Sequence, residues 1–590
     1  MTVAGIVSED PDEVRRVASE TTLTEVDGDT TVRYALDEPV TYRGDVQQIP
    51  QEPVTQQMLR QSADDPNSWL LYGGGYGQQR FTTADVVTPE NVSDLSLEYT
   101  LDVFTPSANP DGANVQDLKG SSMEGTPLVV PTDPPIMYQT NGPDVVRAVN
   151  ARTGEILWSY VYQRPGGEQA PAICCGDNNR GVGVLGDTLY MTTLEANLLA
   201  LDRYTGEQKW LYNSAKTSDG YSATWAPVPY DGKILNGSAG GEYGIRGFVE
   251  AVDAKSGERQ WRTWTTPKDQ WIGDAWKHGA SPNWMSVSVD PDTGTLYAAI
   301  GNPGPDVNGL VRPGPNVYSS SVVALDANSG DVKWYFQESP HDWWDYDAAS
   351  PPVLFEREVL GETRTVLTQA GKTGWLYLLD AENGDLYERS QEFCQHLNTF
   401  SLPQRNLDQT PWIMPSADGG SEWNPTSFSR ETGLIYVKAM NYPSKFEWSP
   451  DPKWNPPVTY LGGRFTVLPQ MQNVKPPKEW NEQKGVFSAV DPVSGNVEWT
   501  DTYEPYSIGG SLSTTTGLTF TGNGGGEFIA YDSATGDRLW EHTFEASVNS
   551  SPMSWFDPTT GKQYVAVQAG GGGLRSVTRG DTVAVFSMSG

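Results

Sequence analysis

The stretch ALDRYTGEQKW, residues 200–210, decides the fold because it recurs. A small apolar residue is followed by Asp two places on, then Thr/Ser-Gly, three further residues and Trp. The pattern returns as AVNARTGEILW (148–158), with Asn for Asp, AVDAKSGERQW (251–261), ALDANSGDVKW (324–334), AVDPVSGNVEW (489–499) and AYDSATGDRLW (530–540). A weakened copy, LLDAENGDLYE (378–388), ends near Tyr387 without the tryptophan. In each copy the apolar residues before Asp alternate as a strand does. Asp bonds the backbone ahead of it and Gly takes a positive φ, which together make a tight turn. The next strand ends in Trp, large enough to pack on a neighbouring sheet.

Self-similarity at this period, with glycine-rich hairpins such as GVGVLGDTLYMTT (181–193) between the copies, predicts an all-β, eight-bladed β-propeller with tryptophan-docking repeats over residues 51–590. The 112 residues between Tyr387 and Trp499 are wide enough for an unmarked copy, placed around SFSRETGLIYVKAMN (427–441). The ring-closing unit is expected to be shared between the chain ends, with WLLYGGGYGQQRF (69–81) and DTVAVFSM (581–588) as partners. Residues 1–50 are acidic, carry no repeat and read as a partly disordered arm.

Asp and Glu number 75 against 40 Lys and Arg, a formal charge of −35. A field of that sign repels nucleic acid and anionic lipid, so neither is expected as a partner. The sharper reading of the excess is adaptation to high salt (a halophilic protein), where screening makes self-repulsion tolerable. The plainer one is a solvated acidic surface. No run approaches the roughly 18 apolar residues of a spanning helix, and the start, MTVAGIVSEDPDEVRR, lacks the basic and hydrophobic regions of a signal peptide.

Function is carried by motifs between the repeats: ICCGDNNRG (173–181), GGEYGIRG (240–247), WIGDAWKHGASPNW (271–284), IGNPGP (300–305) and PHDWWDYD (340–347), in that order. Together they resemble the quinoprotein alcohol dehydrogenases, which bind pyrroloquinoline quinone (PQQ) in an eight-bladed propeller. The resemblance runs from about residue 54 to near the C-terminus. It implies oxidation of an alcohol to an aldehyde or ketone, by metal-assisted hydride transfer to the quinone. The electrons then pass to an external one-electron acceptor, a cytochrome c or a blue-copper protein.

By the same match, Glu242, Asn302, Asp345 and Asp347 are expected to hold the metal, with Asp345 also the catalytic base. Oxygen donors suit a hard ion, and two carboxylates two residues apart on an extended segment repel unless a cation lies between them. Asp347 stands where calcium-dependent members commonly have a small residue and lanthanide-dependent members an Asp. A lanthanide(III) ion is therefore expected, with Ca²⁺ as the alternative. Glu124, Arg180, Thr224, Gly240, Gly241 and Lys372 resemble the cofactor contacts, and Lys372 would also stabilise charge on the reduced quinone. Trp284 resembles the stacking floor. Two departures from the family pattern concern the pocket: Ile508 stands where an active-site Trp is frequent, and GSAGGE (237–242) replaces the more usual Ser-Gly-Ala-Glu. No Cys-x-x-Cys-His occurs, so no c-type haem is expected.

Cys174 and Cys175 are adjacent. Neighbouring Cα atoms sit near 3.8 Å, closer than the usual ~4.4–6.8 Å of disulfides, so on their own the residues read as two small buried hydrophobes or as a strained ring. The resemblance implies the ring, a disulfide covering the quinone face opposite Trp284. It leaves Cys394 as a single thiol and points to a periplasmic or extracellular site. A sugar or polyol dehydrogenase and a non-catalytic propeller scaffold are the competing functions. A homodimer stays open.

Overall fold

Eight antiparallel sheets follow one another in the computed structural model, which describes residues 22–26, 29–33, 40–103, 122–162, 173–468, 475–481, 484–506, 508–573 and 578–589. Blades 1 to 7 span residues 128–161, 182–213, 228–264, 288–337, 353–389, 427–503 and 511–543, each with four strands paired in sequence order. Blade 8 takes three strands from residues 553–589 and its outer strand, Ser96–Asp102, from the other end of the chain. Among the described residues the only α-helix is Gln56–Gln61, and no helix is long and apolar enough to cross a membrane.

Two sequence expectations change. The C-terminal segment closes the ring on Ser96–Asp102, whereas the stretch around Trp69 makes only a bridge to Val129 and, at Phe81–Thr82, a parallel edge on blade 7. The segment 427–441 is not an extra unit either. It supplies the first two strands of the blade that ends in Trp499, and a hairpin (Ser444–Trp448 with Gly463–Val467) is inserted before the third. The eighth blade is the closing one. Of the N-terminal arm, residues 1–21, 27–28 and 34–39 lie outside the described residues. Residues 22–26 pair with 29–33, and Val40–Arg43 is an outer fifth strand on blade 1.

The repeat motif explains how blades hold each other. The turn Asp accepts backbone N–H bonds from the residues ahead, as Asp202 does from Tyr204 and Thr205 and Asp326 from Asn328 and Ser329. The turn Gly has φ near +75°, and a Cβ there would lie 2.5–2.9 Å from the preceding blade's indole at Gly206, Gly257, Gly330 and Gly536. Only a residue without a side chain lets the ring lie flat on the turn. The indole N–H then donates to the carbonyl one residue past the next turn's Asp: Trp158 to Arg203, Trp261 to Ala327, Trp334 to Ala381 and Trp499 to Ser533, at 3.1–3.2 Å.

The closing junction uses a tyrosine. The Tyr99 hydroxyl donates to Ala151 O at 2.7 Å, and its ring lies over Gly154. The junction between blades 5 and 6, where the copy is weakened, has no indole over Gly495; Gln391 N–H donates to Gly495 O at 2.7 Å instead.

Replacing Gly330 by Ala strains a left-handed turn and drives a methyl into Trp261, so a loss of about 2–4 kcal/mol is expected. Gly495→Ala, with no indole above it, is expected to lose only about 1 kcal/mol. Thermal unfolding of both variants followed by circular dichroism checks the difference, and equal losses would contradict indole docking.

Candidate active site

In a four-stranded antiparallel blade, the strand 2–3 turn and the connection to the next blade lie at one end, and the repeat's Asp/Gly turn lies at the other. Residues 173–180, 282–284 and 345–347 are inter-blade connections, and Glu242, Asn302 and Lys372 sit in the strand 2–3 turns of blades 3, 4 and 5. They therefore converge at the end opposite the docking turns. Every residue singled out for the site lines one cavity there, of about 200 Å³.

Sulfur and indole both line this cavity. Cys174 and Cys175 form a disulfide with Cα atoms 3.8 Å apart, and Trp284 lines the same cavity. Cys174 Sγ lies 3.1 Å from Glu242 Oε1; both sulfurs are used in the disulfide, so neither is a thiolate ligand. Arg180 places its guanidinium 4.5 Å from the Trp423 ring centre and 5.5 Å from that of Trp284, with an ion pair of 2.8 Å to Glu124. Burial raises the Glu124 carboxyl to about 7 against the pull of Arg180. Gly240 has φ +119°, and a Cβ on Gly241 would lie 2.7 Å from Asn302 Oδ1. Thr224 is held on the wall, its carbonyl accepting from Arg180.

The acidic corner is built around Lys372. Its ammonium lies 2.6 Å from Asp347 Oδ2, 3.0 Å from Asp345 Oδ2 and 3.8 Å from Glu422 Oε1. Burial works to lower Lys372, but Asp345, Asp347 and Glu422 outweigh it and hold the ammonium well above its ordinary value. Burial pushes the Asp345 carboxyl up, with Lys372 opposing and Asp347 adding to the rise. Burial likewise raises Glu242.

Asp347 Oδ1 accepts the Asn302 backbone N–H, which ties the blade 4 turn to the blade 5 entry. Asp345 has φ +65°, a left-handed conformation costly for a residue with a side chain. The buried Asp342 enforces it by accepting N–H bonds from Trp344, Asp345 and Tyr346 at 2.9–3.2 Å. Asp345 Oδ1 and Asn302 Nδ2 are buried with no hydrogen-bond partner among the described residues.

A family profile described as the PQQ glucose/ethanol/alcohol dehydrogenase β-propeller domain matches residues 69–393 and 470–565. The quinoprotein alcohol dehydrogenase PedH of Pseudomonas putida is 31% identical over 565 residues, covering 88% of this chain and 89% of that one. The quinohemoprotein alcohol dehydrogenase ADH-IIG of the same species is 31% identical over 557 residues, covering 88% of this chain and 74% of its own. A europium-containing methanol dehydrogenase superposes with a TM-score of 0.80 at 26% identity, over 90% of this chain and 100% of that one. The chain belongs to the PQQ-dependent alcohol dehydrogenases. It is an oxidoreductase acting on alcohols, with a quinone cofactor, a metal ion and an electron acceptor. The competing scaffold reading falls.

The residues of this PQQ-dependent dehydrogenase fit such a cofactor. A disulfide and an indole lining one cavity, glycines where a Cβ would intrude, and an arginine and a lysine suit an anionic ring system. An unpartnered buried oxygen, Asp345 Oδ1, beside several carboxylates suits a hard cation.

Sequence reading missed part of the wall. Glu422, Trp423, Asp418 and Phe465 also line the cavity. A signal was present: Gly419-Gly420 precedes Glu422 much as Gly240-Gly241 precedes Glu242, and a Cβ on Gly419 would strike the Lys372 side chain. Ile508, one of the departures, packs with Tyr72, Met285 and Trp423 instead of facing the cavity.

Also missed was a strap. Residues 449–462, carried by the blade 6 hairpin, lie across the loops that carry Glu242, His278 and Val307. Trp454 stacks on His278 at 4.0 Å and donates to Tyr243 O, Tyr460 N–H donates to Glu242 O, and Leu461 O accepts Val307 N–H.

Burial holds the Glu422 carboxyl up at about 7 from an ordinary 4.5, with Lys372 opposing. The folded chain then binds this proton more tightly than the unfolded chain. The stability it contributes is complete below pH 4.5 and is lost as pH rises to about 7. Glu422→Gln cannot ionise, so in chelator-treated, cofactor-free protein it is expected to remove up to ~3 kcal/mol of the decline in stability across this window. Calorimetric melting as a function of pH checks it.

Proposed function

We propose that the cavity oxidises a small alcohol with Asp345 as the base that takes the hydroxyl proton. The observation that carries this reading is the arrangement of Asp345: one oxygen is bonded to Lys372, the other is buried without a partner, and the backbone is strained. A base must be within reach of the proton it removes and held in one orientation, and Asp342 supplies that hold. Cys174, Cys175 and Trp284 would hold PQQ, which would supply a two-electron acceptor for the alcohol's C–H bond. Lys372 presents a fixed ammonium beside the reacting region, where negative charge develops. Glu124, Arg180 and Thr224 orient the cofactor's polar edge, and Gly240 and Gly241 let the backbone approach it closely.

Glu242, Asn302, Asp345 and Asp347 would hold the cation. Three carboxylates together with the quinone's own anionic oxygens favour a trivalent ion over a divalent one, so we assign a lanthanide(III) in preference to Ca²⁺. The two electrons would leave singly to an external cytochrome c or blue-copper protein. The disulfide favours a location outside the reducing cytosol, periplasmic or extracellular.

The test is reconstitution of metal-stripped protein with PQQ and either La³⁺ or Ca²⁺, assayed on an alcohol panel with an artificial one-electron acceptor. La³⁺ is expected to give the higher turnover, and activity restored by Ca²⁺ alone would reverse the metal assignment. Asp345→Ala is expected to retain the absorption of bound PQQ and to lose about 10²–10⁴-fold in turnover. Normal turnover in that variant would remove Asp345 from the base role.

The charge of −35 is read as adaptation to high salt. Screening relieves self-repulsion, so the melting temperature is expected to rise between about 0.1 M and 2 M KCl. A flat or falling profile would leave only an acidic surface.

A further inference from the structure

The turn that carries Asn302 continues as Asn302-Pro303-Gly304-Pro305-Asp306. Its backbone is fixed from two sides. Arg312 donates to Pro305 O at 3.1 Å and to Asp306 O at 2.9 Å, and the strap accepts the Val307 N–H at 2.9 Å. The Asp306 side chain is fully buried, and neither carboxylate oxygen has a hydrogen-bond partner among the described residues.

That is unusual within this chain. The buried Glu250 is paired with Arg262 at 2.6 Å, and the buried Asp342 accepts three backbone N–H groups. Arg312 is close, but its guanidinium is taken up by the carbonyls of Pro305, Asp306 and Asp342 and by Asn316 Oδ1. An isolated buried carboxylate costs several kcal/mol unless a positive partner meets it. The charged groups acting on it are Glu242 and Asp347, ahead of Arg312 and Lys372. It lies four residues after Asn302 on the same turn, and the strap that holds Val307 N–H also bonds Glu242 O, so Asp306 sits behind the proposed metal ligands; Asp345 feels its charge. Asp345 Oδ1 also lacks a partner among the described residues.

We propose that Asp306 is an additional anionic member of the cation site and biases it toward a trivalent ion. This rests on the metal assignment made above. Asp306 adds a negative charge to those of Glu242, Asp345 and Asp347, and each added anion favours a trivalent ion over a divalent one. Asp306 does not itself line the cavity, so it acts from behind the ligands through its charge, which requires it to be ionised when the metal is present.

The experiment titrates PQQ-loaded, metal-stripped protein with Tb³⁺, read by tryptophan-sensitised luminescence, with Ca²⁺ as competitor. Asp306→Asn keeps the size of the side chain and removes its charge. It is expected to weaken Tb³⁺ by about 10–100-fold and Ca²⁺ by less, lowering the Tb³⁺/Ca²⁺ preference. Asp306→Ser, judged alongside it by melting temperature, guards against a folding defect. If wild type prefers Tb³⁺ and both folded variants keep that preference, the role of Asp306 is overturned while the metal assignment stands. If wild type itself shows no preference for Tb³⁺, the metal assignment fails, and this inference fails with it.

Discussion

A single backbone carbonyl anchors most of the blade junctions. The residue after the turn Asp offers its C=O to the preceding blade. At three junctions two side chains of that blade reach it: the Trp of the outer strand and a Tyr of the second strand. Arg203 O takes Trp158 and Tyr138, Ala381 O takes Trp334 and Tyr297, and Ser533 O takes Trp499 and Tyr436. The rings pair at 5.8–6.1 Å between centres, which fills the gap between sheets. A carbonyl has two lone pairs, and here both are satisfied by groups that would otherwise be buried polar liabilities. The turn Asp, the turn Gly and the Trp thus belong to one mechanism. Asp shapes the turn, Gly admits the ring, and the exposed carbonyl fixes its position.

This arrangement separates stability from chemistry by topology. The docking turns lie at the strand 3–4 end, and the site lies at the strand 2–3 end. Loops at the site end are free to carry features that a docking turn could not tolerate. Asp345 sits in left-handed conformation, Lys372 is ringed by carboxylates, and two adjacent cysteines close on each other. Each of these is costly locally and persists only because a rigid framework over-determines it.

Legibility in the sequence follows the range of the interactions. Blades 1 to 4 and 7 could be read because an Asp or Asn, a Gly and a Trp lie within eleven residues of each other and repeat. Closure between the two chain ends could be read as well, but the N-terminal partner could not, because Tyr99 replaces Trp in a strand whose sheet partners lie near residue 585. Blade 6 was misread because its inserted hairpin parts the second strand from the third. The second-strand tyrosines were in view as well, in DTLY (187–190) and GTLY (294–297), but their shared role depends on a carbonyl in another blade. In the site, the positions drawn from the family resemblance all reached the cavity. Glu422 and the strap did not emerge, since Trp454 and Tyr460 act on backbone atoms some two hundred residues away.

The two halves are nevertheless mechanically linked. Glu242 comes from blade 3, Asn302 from blade 4, and Asp345, Asp347 and Lys372 from the entry and second turn of blade 5. Their spacing is set by two docking junctions at the far end, Trp261 on blade 4 and Trp334 on blade 5. Twisted sheets with packed faces transmit position with little compliance. The next junction, between blades 5 and 6, lacks an indole, and there the strap crosses at the site end. It ties blade 6 to the loops of blades 3 and 4 through Tyr243, Glu242 and Val307. The weakest docking turn is thus compensated at the opposite end, by a segment that also braces the backbone carrying Glu242 and Asp306.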